Sequence, residues 1–263
     1  MNTGLKNKKV LVTGSTKGIG FQTALGFAKE GAEVLVHGRS EKAVETAIAE
    51  IKKIIPESKL AGVSADLATE DGIQKLIRQV PEVDVLINNA GYFEPKEFFA
   101  ITREDWKNMY ETNVLSGAEL TQNYLKGMLE RNSGRVVFVS SESALNIPVE
   151  MVHYGMSKTA QLSISRGSAE VCKGTNVTVN SVLPGPTLSE GVEEFIQALA
   201  KSQGKSNEEM AKDFIRENRP SSLAGRFAKP EEIANVIVFL ASDLASMING
   251  ASVRADGGVY KSI

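Results

Sequence analysis

The sequence predicts an α/β fold, a doubly wound parallel sheet of about seven strands with helices on both faces. Three observations predict it. Short apolar runs alternate with longer amphipathic stretches. The runs are apolar throughout rather than alternating, as buried parallel strands are. No Gly/Ser/Pro-rich linker, low-complexity tract or fixed-period repeat breaks the alternation, so one domain over 1–263 is expected.

The elements follow in order. Val10-Leu11-Val12 reads as the first strand, with a helix starting near Gly18. Val34-Leu35-Val36 is the second, followed by a helix whose Val44, Ala47, Ile48, Ile51 and Ile55 share one face. Ala61 to Ser64, Val83 to Ile87, Arg135 to Ser140, Val177 to Leu183 and Ala251 to Arg254 complete the strands. Right-handed crossovers between them give the doubly wound order. The stretch 188–227 departs from the pattern. It is helical in composition, with 7 acidic and 6 basic residues, and its place after a late strand suggests a helical lid over the mouth of the sheet.

Composition narrows the function classes. A net charge of -2 gives no case for nucleic acid or an anionic membrane. The single cysteine, Cys172, excludes an intramolecular disulfide framework and a cysteine-rich zinc site, and reads as a core filler. No signal peptide can be drawn through Met1 to Lys9, and every apolar run is far shorter than the roughly 20 residues of a membrane span. A soluble, cytoplasmic protein without a metal is the expectation.

Gly14-Ser15-Thr16-Lys17-Gly18-Ile19-Gly20 lies between the first strand and the first helix. Glycines there let the backbone turn sharply and approach a pyrophosphate, and the helix offers free N–H groups and a positive dipole end. The spacing differs from Gly-x-Gly-x-x-Gly, yet the position right after the first strand points to a nucleotide in a fold of Rossmann type. After the second strand, Gly38 stands where an NAD-selecting site places an acidic side chain, and Arg39 follows with a permanently charged fork. Lys17 is a second cation within the loop. The pair favours NADP(H) over NAD(H), because it suits a 2′-phosphate that an acidic residue would repel.

Tyr154 and Lys158 are four residues apart, on one helical face one turn from each other. A cation beside a phenol lowers its pKa toward a usable acid/base. Ser140-Ser141 follows the fifth strand, so a hydroxyl is available to the same pocket.

The ordered motifs carry a resemblance. Thr13-Gly14-x-x-x-Gly18-Ile19-Gly20, Asp66-Leu67, Asn88-Asn89-Ala90-Gly91, Asn113, Ser140-Ser141, Tyr154-x-x-x-Lys158, Asn180 to Thr187 and Asp256-Gly257-Gly258 occur in sequence. Along essentially its whole length the chain resembles the short, single-domain branch of the short-chain dehydrogenase/reductase family. The resemblance implies hydride transfer between a nicotinamide and a carbonyl or secondary alcohol on a small molecule. Tyr154 would be the proton donor or acceptor. Lys158 would hold the nicotinamide ribose and depress the Tyr154 pKa. Ser141 would hydrogen-bond the substrate oxygen, ahead of Ser140. Asn113 would kink its helix and anchor a water relaying protons to Lys158. Asp66 and Leu67 would border the adenine, Asn89, Ala90 and Gly91 would lie along the cofactor, and Pro184, Gly185 and Thr187 would embrace the nicotinamide. Asn88 and Asn89 also read as backbone hydrogen-bond hubs, and Asp256-Gly257-Gly258 as a closing turn. A homotetramer or homodimer through the helices expected at 103–129 and 155–172 is implied too.

Around the substrate, Tyr92, Phe93, Glu142, Ser143, Ile147, Met151, His153 and the lid are expected. Of these, Phe93, Glu142, Ser143 and Met151, with Ser141 and Tyr154, are the candidate substrate contacts. Glu142 departs from the family, where a small or apolar residue is commoner. It reads first as a solvated or salt-bridged loop carboxylate; facing the pocket, it would receive a hydroxyl or a cation. His153 reads as a packed or solvent-facing neighbour rather than a base. The rivals are a 3-oxoacyl-carrier-protein reductase, an epimerase or dehydratase of the longer branch, and a non-catalytic NADP-binding regulator. The charge-balanced lid speaks for a free substrate over an acidic carrier, and the presence of Asn113, Ser141, Tyr154 and Lys158 speaks against a silent regulator.

Overall fold

The computed structural model describes residues 2–262. The elements are β1 (Lys9–Val12), α1 (Gly18–Lys29), β2 (Glu33–Gly38), α2 (Glu41–Ile54), β3 (Lys59–Ser64), α3 (Glu70–Gln79) and β4 (Val85–Asn88). Then come α4 (Arg103–Tyr110), α5 (Ser116–Glu130), β5 (Gly134–Val139), α6 (Val152–Val171) and β6 (Val177–Pro184). The chain finishes with α7 (Glu190–Gln203), α8 (Asn207–Asn218), α9 (Pro230–Leu240) and β7 (Ser252–Ala255). All seven strands pair in parallel, in the order β3-β2-β1-β4-β5-β6-β7.

Two cores cover the sheet, because successive strand residues point to opposite faces. Val10 and Val12 of β1 pack with Phe27 of α1, Ile51 of α2 and Ile237 of α9. Leu11, between them, packs on the other face with Leu76 of α3, Leu120 and Met128 of α5 and Val179 of β6. The expectation of strands apolar on both faces holds for the interior and fails at the edges. In β3 only Val63 is buried, and in β7 no residue is fully buried, since an edge strand meets solvent where it lacks a neighbour. Lys59, exposed in β3, is the kind of charge that discourages edge-to-edge pairing.

The stretch 188–227 forms α7 and α8. A left-handed Gly204 ends α7, and a capping box between Ser206 and Glu209 starts α8. Ile196, Ala200, Met210, Ile215 and Phe227 give this lid a small core of its own. The helix expected over 103–129 is one rod with a fault: α4 runs into α5 through a single π turn, Glu111–Leu115. The other long helix begins three residues before the expected Gly155. Among the described residues no helix is long and apolar enough to cross a membrane, and no cluster of metal-ligating side chains occurs.

The strand order reverses between β1 and β4. Loops leaving the C-terminal ends of these two strands flank that point, where open α/β sheets form their clefts.

Candidate active site

The glycine loop leaves β1 with Gly14 at φ 62° and Gly18 at φ 56°, the left-handed region that favours glycine. A methyl group at Gly14 would sit 3.0 Å from Ala90 Cα, and one at Gly20 would collide with the Gly14 carbonyl. Asn89 braces the same turn, its Nδ2 donating to Thr13 O at 2.9 Å and Gly14 O at 3.0 Å. The Thr13 hydroxyl accepts from the amides of Asn89 and Ala90. Asn88 donates to Thr121 Oγ1 at 2.9 Å, and Asp256 closes its turn by accepting from the amides of Gly258 and Tyr260.

His37 is a structural part that the sequence does not announce. Its Nδ1 accepts from the Gly14 amide at 3.0 Å, and its Nε2 lies 3.1 Å from Ala65 O, so the neutral ring carries its proton on Nε2. The Ser15 hydroxyl accepts from the His37 amide, which turns that side chain toward β2; the backbone of Ser15 is what remains for a ligand. Burial lowers the His37 pKa to about 4, against hydrogen bonding to Ala65 and the charge of Asp66, which raise it. Above pH 6.5 folded and unfolded chains both hold it neutral. Below that, the unfolded chain takes up a proton that the folded one refuses. Stability should therefore fall by about 3 kcal/mol between pH 6.5 and 4. Thermal melts across this window should show that loss, and His37→Asn should flatten it.

The helix that follows the loop has no side-chain cap, so its first amides remain open to an anion. Thr16 and Lys17 share a shallow recess of about 480 Å³ with Ser40, Lys42 and Thr46. Lys42 is a further cation that sequence reasoning missed. Arg39 and Asp66 are exposed beside it without lining it, and the Asp66 carboxylate accepts from the Ala68 amide. The Leu67 side chain is packed into the core, which leaves its backbone as the part that could border an adenine.

A larger cleft of about 700 Å³ runs from Ile19 in the loop to the lid. Asn89, Gly91, Pro184, Gly185 and Thr187 line it together with Ser141, Tyr154 and Lys158. Phe93, Glu142, Ser143 and Met151 line it too, and from the lid so do Val192, Phe195, Phe214 and Arg219. His153 does not. It is fully buried, its ring against Trp106 with centroids 6.0 Å apart, the packed neighbour expected. The Ser140 hydroxyl, although it lines the cleft, donates to Lys158 O at 2.9 Å, which commits its proton and favours Ser141 as the donor to a substrate.

Burial dominates the acid/base pair. Desolvation pushes Tyr154 up to about 12, with a hydrogen bond from Ser141 and the Arg219 charge opposing the rise and the Glu142 charge adding to it. Burial brings Lys158 down to about 7. Lys158 Nζ donates to Val139 O at 3.0 Å and Gln161 Oε1 at 3.3 Å, and lies 5.6 Å from the centre of the Tyr154 ring. Gln161 Nε2 donates to Asn113 O at 2.6 Å, so a carboxamide spans Asn113 and Lys158.

Asn113 itself sits in the π turn, as its kinking role requires. Its Oδ1 accepts from the Tyr92 amide and its Nδ2 donates to Tyr92 O, both at 2.9 Å, with Ser157 Oγ at 3.1 Å. It thereby holds the loop after β4 against α6.

Sequence reasoning also missed Arg219. Its Nε donates to Glu142 Oε1 at 2.7 Å, tying the end of α8 to the residue after Ser141. Glu142 is ion-paired, as first read, and also faces the cleft.

The arrangement offers a phenol that holds its proton, a serine hydroxyl beside it and a glycine-lined entrance for a dinucleotide. Known proteins are similar to this chain in sequence and fold. The sequence profile described as short chain dehydrogenase matches residues 8–200. An oxidoreductase of Bacillus subtilis (strain 168), YvaG, is 47% identical over the full length of both chains. A 3-oxoacyl-[acyl-carrier-protein] reductase of Aquifex aeolicus is 33% identical, covering 99% of this chain and 100% of its own. Among solved structures, L-sorbose reductase from Gluconobacter frateurii, complexed with NADPH and L-sorbose, superposes with a TM-score of 0.94 at 28% identity, covering both chains fully. The chain belongs to the short-chain dehydrogenase/reductase family, oxidoreductases acting on CH–OH and C=O groups.

Proposed function

We propose that the chain, as one dinucleotide-binding unit, is an NADPH-dependent reductase of a free small-molecule ketone, with Tyr154 as the proton donor. The observation that carries the reading is the shared cleft, in which Tyr154 and Ser141 stand with Lys158, Gly185 and Thr187. A buried phenol that is protonated at neutral pH can give its proton to a developing alkoxide, which is a stronger base than phenolate.

The residues fit a nicotinamide dinucleotide: the glycine turn leaves no side chain between backbone and phosphate, and the α1 amides are open. When bound, that cofactor supplies the hydride. Gly14, Gly18 and Ile19 would hold its pyrophosphate, Lys17 and Arg39 its 2′-phosphate, and Lys158, Pro184, Gly185 and Thr187 its nicotinamide end. Ser141 and Tyr154 would both donate to the carbonyl oxygen, fixing it and drawing charge onto it. Tyr154 Oη then passes its proton to that oxygen. Gln161 and Val139 fix the Lys158 ammonium meanwhile. The L-sorbose reductase supports NADPH and a free ketone as the partners.

The test is loss of nicotinamide absorbance when the protein meets NADPH and a panel of ketones. Reduction should show no rise with pH, whereas alcohol oxidation should climb about tenfold per pH unit toward the phenol's value. Absence of turnover with every carbonyl offered would refute the assignment.

A further inference from the structure

The cleft wall carries a charge pair, Glu142 and Arg219, that proton transfer from Tyr154 does not use. Glu142 opens the short turn Glu142–Ala144 directly after Ser141 and is 3% exposed. Its Oε1 is committed: Arg219 Nε reaches it at 2.7 Å and Ser143 Oγ at 3.4 Å. Its Oε2 is buried with no protein partner. A carboxylate oxygen accepts hydrogen bonds only, and leaving one buried and unpaired costs free energy. The site therefore asks for a donor.

Charge says which donor. Arg219, 12% exposed, already neutralises Glu142, so the pair as a whole calls for no further charge. An ammonium on the substrate would leave a net positive charge in a desolvated wall, and a substrate carboxylate would meet Glu142 with Arg219 already engaged. A neutral hydroxyl satisfies Oε2 at no such cost. The surroundings offer it little alternative. Phe93, Met151, Phe195, Phe214 and Phe227 are apolar, and Asn218, whose Nδ2 donates to Phe214 O, is exposed to solvent. Glu150 also lines the cleft, but exposed to solvent.

We propose that Glu142, held by Arg219, is a specificity-determining residue that accepts a hydrogen bond from a free hydroxyl on the substrate, and that the substrates are neutral hydroxyketones, ketoses included. The proposal rests on the reductase reading above and narrows its substrate class. The apolar rings would pack against the carbon skeleton while Ser141 and Tyr154 hold the carbonyl.

The experiment compares a matched pair, 1-hydroxy-2-butanone and 2-butanone, with NADPH in the intact protein. Wild type should favour the hydroxyketone about fiftyfold in kcat/KM, the scale of one hydrogen bond to a charged group. In Glu142→Gln and Glu142→Leu that ratio should shrink at least tenfold. The ratio is the readout because an ion pair that merely fastens the lid would alter both rates alike. NADPH binding and a thermal melt confirm that each variant is folded; if neither folds, the wild-type ratio alone decides. Equal use of both ketones by wild type, or an unchanged ratio in folded variants, overturns the proposal and leaves the reductase reading intact. Failure of wild type to reduce any ketone overturns the reductase reading itself.

Discussion

Tyr154→Phe should lower NADPH-dependent ketone reduction about a thousandfold while leaving the fold and NADPH binding in place. Positioned proton transfer contributes roughly a hundredfold to ten-thousandfold, and this phenol also donates one of two hydrogen bonds to the carbonyl oxygen. Phenylalanine keeps the ring. Its contact with Phe93, at 6.2 Å between centroids, and with Lys158 would survive, so the cleft should not collapse. Steady-state rates beside an NADPH fluorescence titration separate the two effects. Near wild-type turnover with unaltered binding would remove the mechanism.

The second large effect concerns the far end of the cofactor. Lys17→Ala combined with Arg39→Ala should weaken NADPH about a hundredfold and NADH by no more than a few-fold, since about tenfold per lost cation contact is the scale of a charge-assisted hydrogen bond. Among the described residues neither side chain has a hydrogen bond or ion pair with another residue, so their removal breaks nothing internal. Lys42, in the same recess as Lys17, offers a residual cation, and adding Lys42→Ala should take a further step from NADPH alone. Parallel KM measurements with both cofactors check this; equal losses for the two would refute a 2′-phosphate site.

Much of this architecture is legible in the sequence because buried parallel strands leave a local mark. Val10 to Val12 and Val34 to Val36 must be apolar on both faces, and each run lies close to its observed strand. The edge strands blur that mark: Lys59, Gly62 and Arg254 face solvent, and their surroundings, not their neighbours in sequence, decide it. Tyr154 and Lys158 are legible because a helix turn brings them together within four positions. What stays hidden are partners brought together by folding alone. Arg219 lies seventy-seven positions from Glu142, at the end of a helix where charged residues of both signs abound. Gln161 reads as an ordinary helix-face polar residue until Asn113 and Lys158 close on either side of it. His37 looks like one polar residue in an apolar strand. Only the turn at Gly14 gives its ring a role. The raised pKa of Tyr154 has the same origin, since spacing says that a lysine is near but not how deeply the phenol is buried.

The π turn at Glu111–Leu115 holds one more residue than an α-helical turn of the same rise would. Excising a single residue there would let the backbone relax into an unbroken α-helix with its phase kept, because the extra residue is what the widened turn accommodates. Trp106 would stay against His153 and Met109 would stay buried. The loss would fall on Asn113, whose carboxamide reaches Tyr92 and Ser157 from within that turn. Deleting one residue from the regular part of α4 or α5 would instead turn everything upstream by about 100° about the rod axis.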